Sequence, residues 1–147
     1  MIRFQTLDVM MPHFDADRVR SWIVGVVEGQ GFRVGELYYI FCDDETLLRI
    51  NQERLGHDFY TDIVTFPLTS CDEMISSEFY ISLDRVAENA LVLGRDFNQE
   101  FYRVIIHGVL HLLGQGDKSD SEATEMRRQE EEALTLWNAM FPVEQIC

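Results

Sequence analysis

The stretch VIIHGVLHLLGQGD, Val104 to Asp117, decides how the remaining chain has to fold. Val104, Ile105, Ile106, Val109, Leu110, Leu112 and Leu113 leave hardly any polar face on a helix of this sequence, so it predicts a helix inside the core. His107 and His111 stand four residues apart within it, which puts both imidazoles on one helix face within reach of a single ion. Buried imidazoles need polar partners. Gly114 can take the left-handed conformation that ends a helix, and the reversal lets Asp117 approach both histidines. Two imidazoles and a carboxylate, with one position left to water, make the ligand set of a catalytic metal and suit Zn²⁺, one ion per chain. With extra waters the same set takes Mn²⁺, Ni²⁺ or Fe²⁺. A histidine pair alone is more often two rings hydrogen-bonded to backbone, and it is the glycine turn with Asp117 that favours the metal. Position 108 is Gly where HExxH metalloproteases carry a general base, which argues against peptide hydrolysis by that route.

Around this helix the pattern is α+β, with helices packed on a small mixed sheet and the metal-site helix in the core. Ile2 to Leu7 alternates like a half-buried strand; a helix follows, capped by Asp15 or Asp17, with Val19, Trp22, Ile23, Val26 and Val27 as its apolar stripe and Gly31 as its stop. Val34 to Phe41 reads as a second strand, and Asp43 caps a helix carrying Leu47, Leu48 and Ile50, with Asn51 near its end. Ile63 to Phe66, closed by Pro67, and Glu78 to Leu83 are the third and fourth strands, joined by a mobile polar connection from Thr69 to Ser77. Asp84 is the expected cap of the next helix and Gly94 its end, with the metal-site helix starting near Asn98. Ser119 and Glu122 form a capping-box pattern before a last helix that buries Met126, Ala133, Leu134 and Trp137.

A chain of 147 residues, 46% hydrophobic, forms one domain over residues 1–147 with a core that needs no staples. Cys42, Cys71 and Cys147 show no CxxC spacing, so they read as reduced thiols rather than disulfides or zinc ligands. No window is long and apolar enough to span a bilayer and no leader pattern is visible, which predicts a cytoplasmic protein without membrane contact. Twenty-six acidic residues against twelve basic give a net charge of −14, the reverse of the usual footprint of a nucleic-acid binder. A phosphate substrate therefore requires arginines gathered at the metal and acids elsewhere. Arg49, Arg54, Arg85, Arg95 and Arg103 do lie mid-chain, while Glu122, Glu125, Glu130, Glu131 and Glu132 crowd the C-terminal segment. Lys118 is the only lysine.

The motif resembles the HGxLHLxGYDH signature of the YbeY family of bacterial endoribonucleases, the ribosomal RNA maturation factors. His107, Gly108, Leu110, His111, Leu112 and Gly114 match it, and its third ligand position, His in the signature, falls on Asp117. Asn51, the run Thr61-Asp62-Ile63-Val64-Thr65-Phe66-Pro67 and Phe79-Tyr80-Ile81-Ser82 look like the family's Asn-containing helix, its TDVLSFP-like segment and its sheet-edge strand. The resemblance runs over nearly the whole chain. The family's usual arginine position falls on Leu55, with Arg54 beside it. Asp117 in place of a third imidazole leaves a Zn²⁺ site at +1 instead of +2, so the pKa of a bound water should be higher.

The resemblance implies a metal-dependent, single-strand-specific endoribonuclease in 16S rRNA maturation and ribosome quality control. Single-stranded or ribosomal RNA, with ribosomal small-subunit components, are the implied partners. A metal-bound water at His107, His111 and Asp117 would attack phosphorus directly or deprotonate the ribose 2′-OH, and both routes stay open. His57, beside Asp58, is a candidate proton donor to the leaving oxygen, although loop histidines are commonly plain surface residues. Thr61 and Asp62 either touch RNA or cap a turn, the turn being favoured for Asp62. The rival from another class is a non-catalytic ribosome-assembly or RNA-binding factor with a structural metal, and Leu55 and Asp117 lean toward it. A metallohydrolase of small phosphoesters is a third reading.

Overall fold

The computed structural model describes residues 1–68 and 73–142. Its elements run β1 (Ile2–Thr6), α1 (Ala16–Gly29), β2 (Arg33–Cys42), α2 (Asp44–Leu55), β3 (Ile63–Pro67), β4 (Met74–Ser82), α3 (Leu83–Leu93), α4 (Phe97–Leu112) and α5 (Asp120–Met140). β1 and β4 pair parallel with β2, and β3 runs antiparallel to β4, so the sheet order is β1-β2-β4-β3. Helices packed on a small mixed sheet are the α+β architecture expected from the sequence. No helix among the described residues is long and apolar enough to cross a membrane.

Strand alternation sorts the side chains between two faces. Register aligns Phe4, Tyr39 and Phe79 across three strands, and their rings stack with centroids 5.5 Å and 4.6 Å apart. Leu37, Phe41 and Ile81 share that face and join Trp22 and Ile23 of α1 and Phe101, Ile105, Ile106 and Val109 of α4 in the main core. The Trp22 indole donates to the Ala133 carbonyl at 2.7 Å and ties α1 to α5. On the other face Cys42, Val64 and Leu47 of α2 form a smaller cluster. Burial, then the neighbouring carboxylates of Asp43, Asp44 and Asp84, push the Cys42 thiol up to about 12, which makes it a packing residue. Cys71 and Cys147 lie outside the described residues.

Three expectations change. The polar stretch before Glu78 is not all connection: residues 69–72 lie outside the described residues, but Met74 to Ser77 already belong to β4. Their serines enter the sheet because their hydroxyls find partners. Ser76 Oγ accepts the Glu36 N–H at 3.0 Å beside a register shift between Val34 and Leu37, and Ser77 Oγ donates to the Phe66 carbonyl at 3.1 Å. β4 is also an interior strand, with β3 at the edge. Finally, Ser82 caps α3, accepting the Arg85 N–H at 3.1 Å, whereas Asp84 accepts the Asp44 N–H at the start of α2 at 3.0 Å.

α4 rests on the sheet through Gly108. A methyl group there would lie 2.8 Å from the Phe79 ring and 2.9 Å from Ile63 Cδ1. The position a metalloprotease gives to its general base is thus filled by the sheet. In Gly108→Ala, about 1 kcal/mol gained in helix propensity opposes roughly 1–3 kcal/mol of overpacking against a fully buried ring. The expected net loss is about 1 kcal/mol, read as a melting temperature lower by roughly 2–4 °C. A rise in melting temperature would show that Phe79 and Ile63 yield freely.

Candidate active site

The reversal after α4 is built as the glycine predicted. Leu113 closes the helix, Gly114 adopts φ +102°, and the Gln115 N–H returns to the Leu110 carbonyl at 3.0 Å. Gln115 then staples the turn, its amide donating to the Gly116 carbonyl at 2.9 Å and the Glu122 carbonyl at 3.2 Å. Ser119 and Glu122 close the capping box that starts α5. Asp117 is therefore held between two helix ends.

That position brings three donors together. His107 Nε2 and His111 Nε2 are 3.0 Å apart, and Asp117 Oδ2 lies 3.3 Å from the first and 3.4 Å from the second. A tetrahedral ion with ligand bonds of about 2.0–2.1 Å has ligand-to-ligand edges of about 3.3–3.4 Å. The triad fits such an ion with little movement, and it could hold a metal. His107 Nδ1 meets Glu130 Oε2 at 2.7 Å, which fixes the ring and leaves Nε2 toward Asp117 and His111. Burial disfavours charge on His107, but the hydrogen bond and charge of Glu130, with Asp62 and Asp117, together raise its pKa above the usual histidine value.

Glu130 went unrecognised in the sequence, where it appeared among solvated C-terminal acids. It is buried, and Arg103 pairs with it at 3.4 Å. The signal was its place in the stripe Met126, Glu130, Ala133, Trp137, where a carboxylate interrupts an otherwise apolar helical face.

A cleft of about 530 Å³ opens on the triad, with Asn51, Leu55, His57, Phe59 and Asp62 in its walls. His57 thus shares a cleft with the triad, its ring stacked on Phe59 at 5.1 Å. Asp62, expected as a turn residue, lies in the cleft wall as well as in a bend. Burial pushes its carboxyl above the ordinary carboxylate range, while the neighbouring His107 pulls the other way. Asn51 is buried and donates from Nδ2 to the Phe59 carbonyl at 3.0 Å. Leu55 stands in the cleft where the resemblance placed an arginine, and Arg54 instead covers the Phe66 and Tyr80 rings at 4.9 Å and 5.6 Å.

The arginines do not line this cleft, although Arg95 and Arg103 line a small cavity shared with Asp62 and His107. Arg85 pairs with Asp44 at 2.7 Å, Arg95 with Glu100 at 2.7 Å, and Arg103 with Glu130 and Glu131. Lys118 is the single lysine or arginine lining the cleft among the described residues.

The family model described as endoribonuclease YbeY matches residues 7–138. A Porphyromonas gingivalis protein named endoribonuclease YbeY is 46% identical over 136 residues, covering 92% of this chain and 89% of that one. The protein of that name from Bacteroides thetaiotaomicron is 42% identical over 135 residues, covering 92% and 98%. A solution structure of a Thermotoga maritima protein superposes with a TM-score of 0.63 at 25% identity, covering 99% of this chain and all of the other. With its fold, its histidine helix and these relatives in agreement, the chain belongs to the endoribonuclease YbeY family.

Proposed function

We propose that this chain is one metal-dependent catalytic domain that cleaves single-stranded RNA in the cytoplasm, acting in 16S rRNA maturation and ribosome quality control beside small-subunit components. RNA as substrate follows from the family, and the observation that carries the metal reading is the 3.0–3.4 Å spacing of His107, His111 and Asp117. Zn²⁺ matches that donor set and spacing. A divalent ion there supplies Lewis acidity toward a phosphoryl oxygen and lowers the pKa of a water.

The chain's own residues do the rest. Glu130 holds the His107 ring so that Nε2 faces the ligand position. Gly108 offers no base, so proton transfer falls to groups in the cleft wall, with His57 assigned as donor to the leaving oxygen. Its stacking on Phe59 limits how the ring can turn.

The rival, a non-catalytic ribosome-assembly or RNA-binding factor with a structural metal, draws support from Leu55 in the cleft and from Asp117 in place of a third imidazole. Single-turnover cleavage of a labelled single-stranded RNA by protein of quantified metal content separates the two. His111→Ala and Asp117→Ala are expected to lose metal and cleavage together, by more than the roughly 10–100-fold that an outer partner is worth. Intact RNA with fully loaded wild type would overturn the hydrolase reading in favour of the rival.

Chelator competition tests Glu130. Glu130→Gln is expected to weaken metal binding about 10–100-fold, while Glu131→Gln, on the exposed side of the same Arg103, leaves it nearly unchanged. Equal affinity in the two variants would show that the hydrogen bond to His107 does not orient a ligand.

A further inference from the structure

The cleft lacks what most RNA sites depend on. Counterion release requires several lysines or arginines along the phosphates, and here Lys118 is the one such residue among the described residues that line the cleft, in a chain of net charge −14. Affinity for a single strand must come from another source, and unpaired bases offer an uncharged one in their faces. Stacking on aromatic rings holds single strands without regard to charge.

One ring is placed for it. Phe59 is 56% exposed and lines the same cleft as Leu55 and the triad, which gives that cleft apolar lining beside its polar groups. The segment bearing it is tethered on both sides. The Phe59 carbonyl accepts from buried Asn51, Asp58 accepts from the Gln52 amide at 2.5 Å, and the Tyr60 hydroxyl donates to Glu45 at 2.7 Å. Tyr60 is also exposed, but Arg85 already covers its ring at 5.4 Å and it is not among the cleft-lining residues. His57 backs Phe59 with planes only 20° apart, so the phenyl ring is presented in a set orientation before substrate arrives.

We propose that Phe59, backed by His57, is the platform on which one nucleobase of a single-stranded RNA stacks, next to the phosphate carried to the triad. The inference rests on the reading of this cleft as the RNA site. It assigns substrate contact to Phe59, and it explains a preference for single strands, since a paired base has both faces covered by its neighbours.

Two readouts test it on the full-length, metal-loaded protein. Single-stranded RNAs carrying 2-aminopurine at successive positions, mixed rapidly and read before any cleavage, report stacking as fluorescence quenching. Quenching at one position is expected with wild type and Phe59→Trp and is expected to be lost in Phe59→Leu, with affinity falling about 5- to 100-fold. Cleavable RNAs with one abasic ribose walked past the scissile bond form the second readout. At the stacked position the abasic RNA should be cleaved by wild type as poorly as by Phe59→Leu, whereas on intact RNA the two proteins differ mainly in KM. A defect in Phe59→Leu that stays the same on every abasic RNA would mean that Phe59 only holds His57, and would overturn the proposal. So would quenching that is equal in wild type and Phe59→Leu. Wild type that quenches the probe but leaves every RNA uncut would sink the hydrolase reading while upholding the platform.

Discussion

The structure depends on how closely α4 approaches the sheet. At Gly108 the helix has no side chain, and the Phe79 ring and Ile63 occupy the space a methyl group would need. Close-packed interiors transmit displacement rather than absorb it. His107 precedes this contact and His111 lies one turn beyond it, so the seating of α4 sets the height of both imidazoles above the cleft. The Tyr39 hydroxyl, donating to the Ile105 carbonyl at 3.1 Å, anchors the same helix from β2. The aromatic ladder of Phe4, Tyr39 and Phe79 is thus the floor on which the candidate metal centre stands.

Charge is arranged around that floor in pairs. The strong negative balance in the sequence suggested repulsion of phosphate, and the fold moderates it without building a positive surface. Arg85, Arg95 and Arg103 neutralise Asp44, Glu100 and Glu130, so arginines that looked available for a substrate serve the protein's own carboxylates. Most are partly shielded from water, where an unpaired carboxylate would be costly. Arg103 pairs with Glu130 next to His107, and Glu130 keeps the imidazole turned. The arginines therefore act on the site from behind, and Lys118 is the one lysine or arginine among the described residues that line the cleft.

Sequence reading succeeded where the physics is local. Helical period put His107 and His111 on one face, and the left-handed preference of Gly114 brought Asp117 within 3.4 Å of both. The Ser119 and Glu122 capping box and the stripe of α1 formed as written. It failed where partners come from far along the chain. Ser76 and Ser77 looked like connection because their hydroxyls had no visible acceptors or donors; Glu36 and Phe66 supply them across the sheet. Asp84 looked like a cap for its own helix and instead caps α2, forty residues earlier.

By itself the sequence determined the α+β class, the grouping of His107, His111 and Asp117, and the family, because periodicity, a glycine turn and a motif are properties of neighbouring residues. Tertiary structure alone decided that Glu130 is an inner residue gripping His107, that Arg85, Arg95 and Arg103 are spent on the protein's own carboxylates, and that Phe59 and His57 line one cleft with the triad. Apart from Arg95 with Glu100, five residues on, each of these is a meeting of segments more than twenty residues apart. Such meetings depend on how helices settle against a sheet, and no local rule of spacing or propensity specifies that.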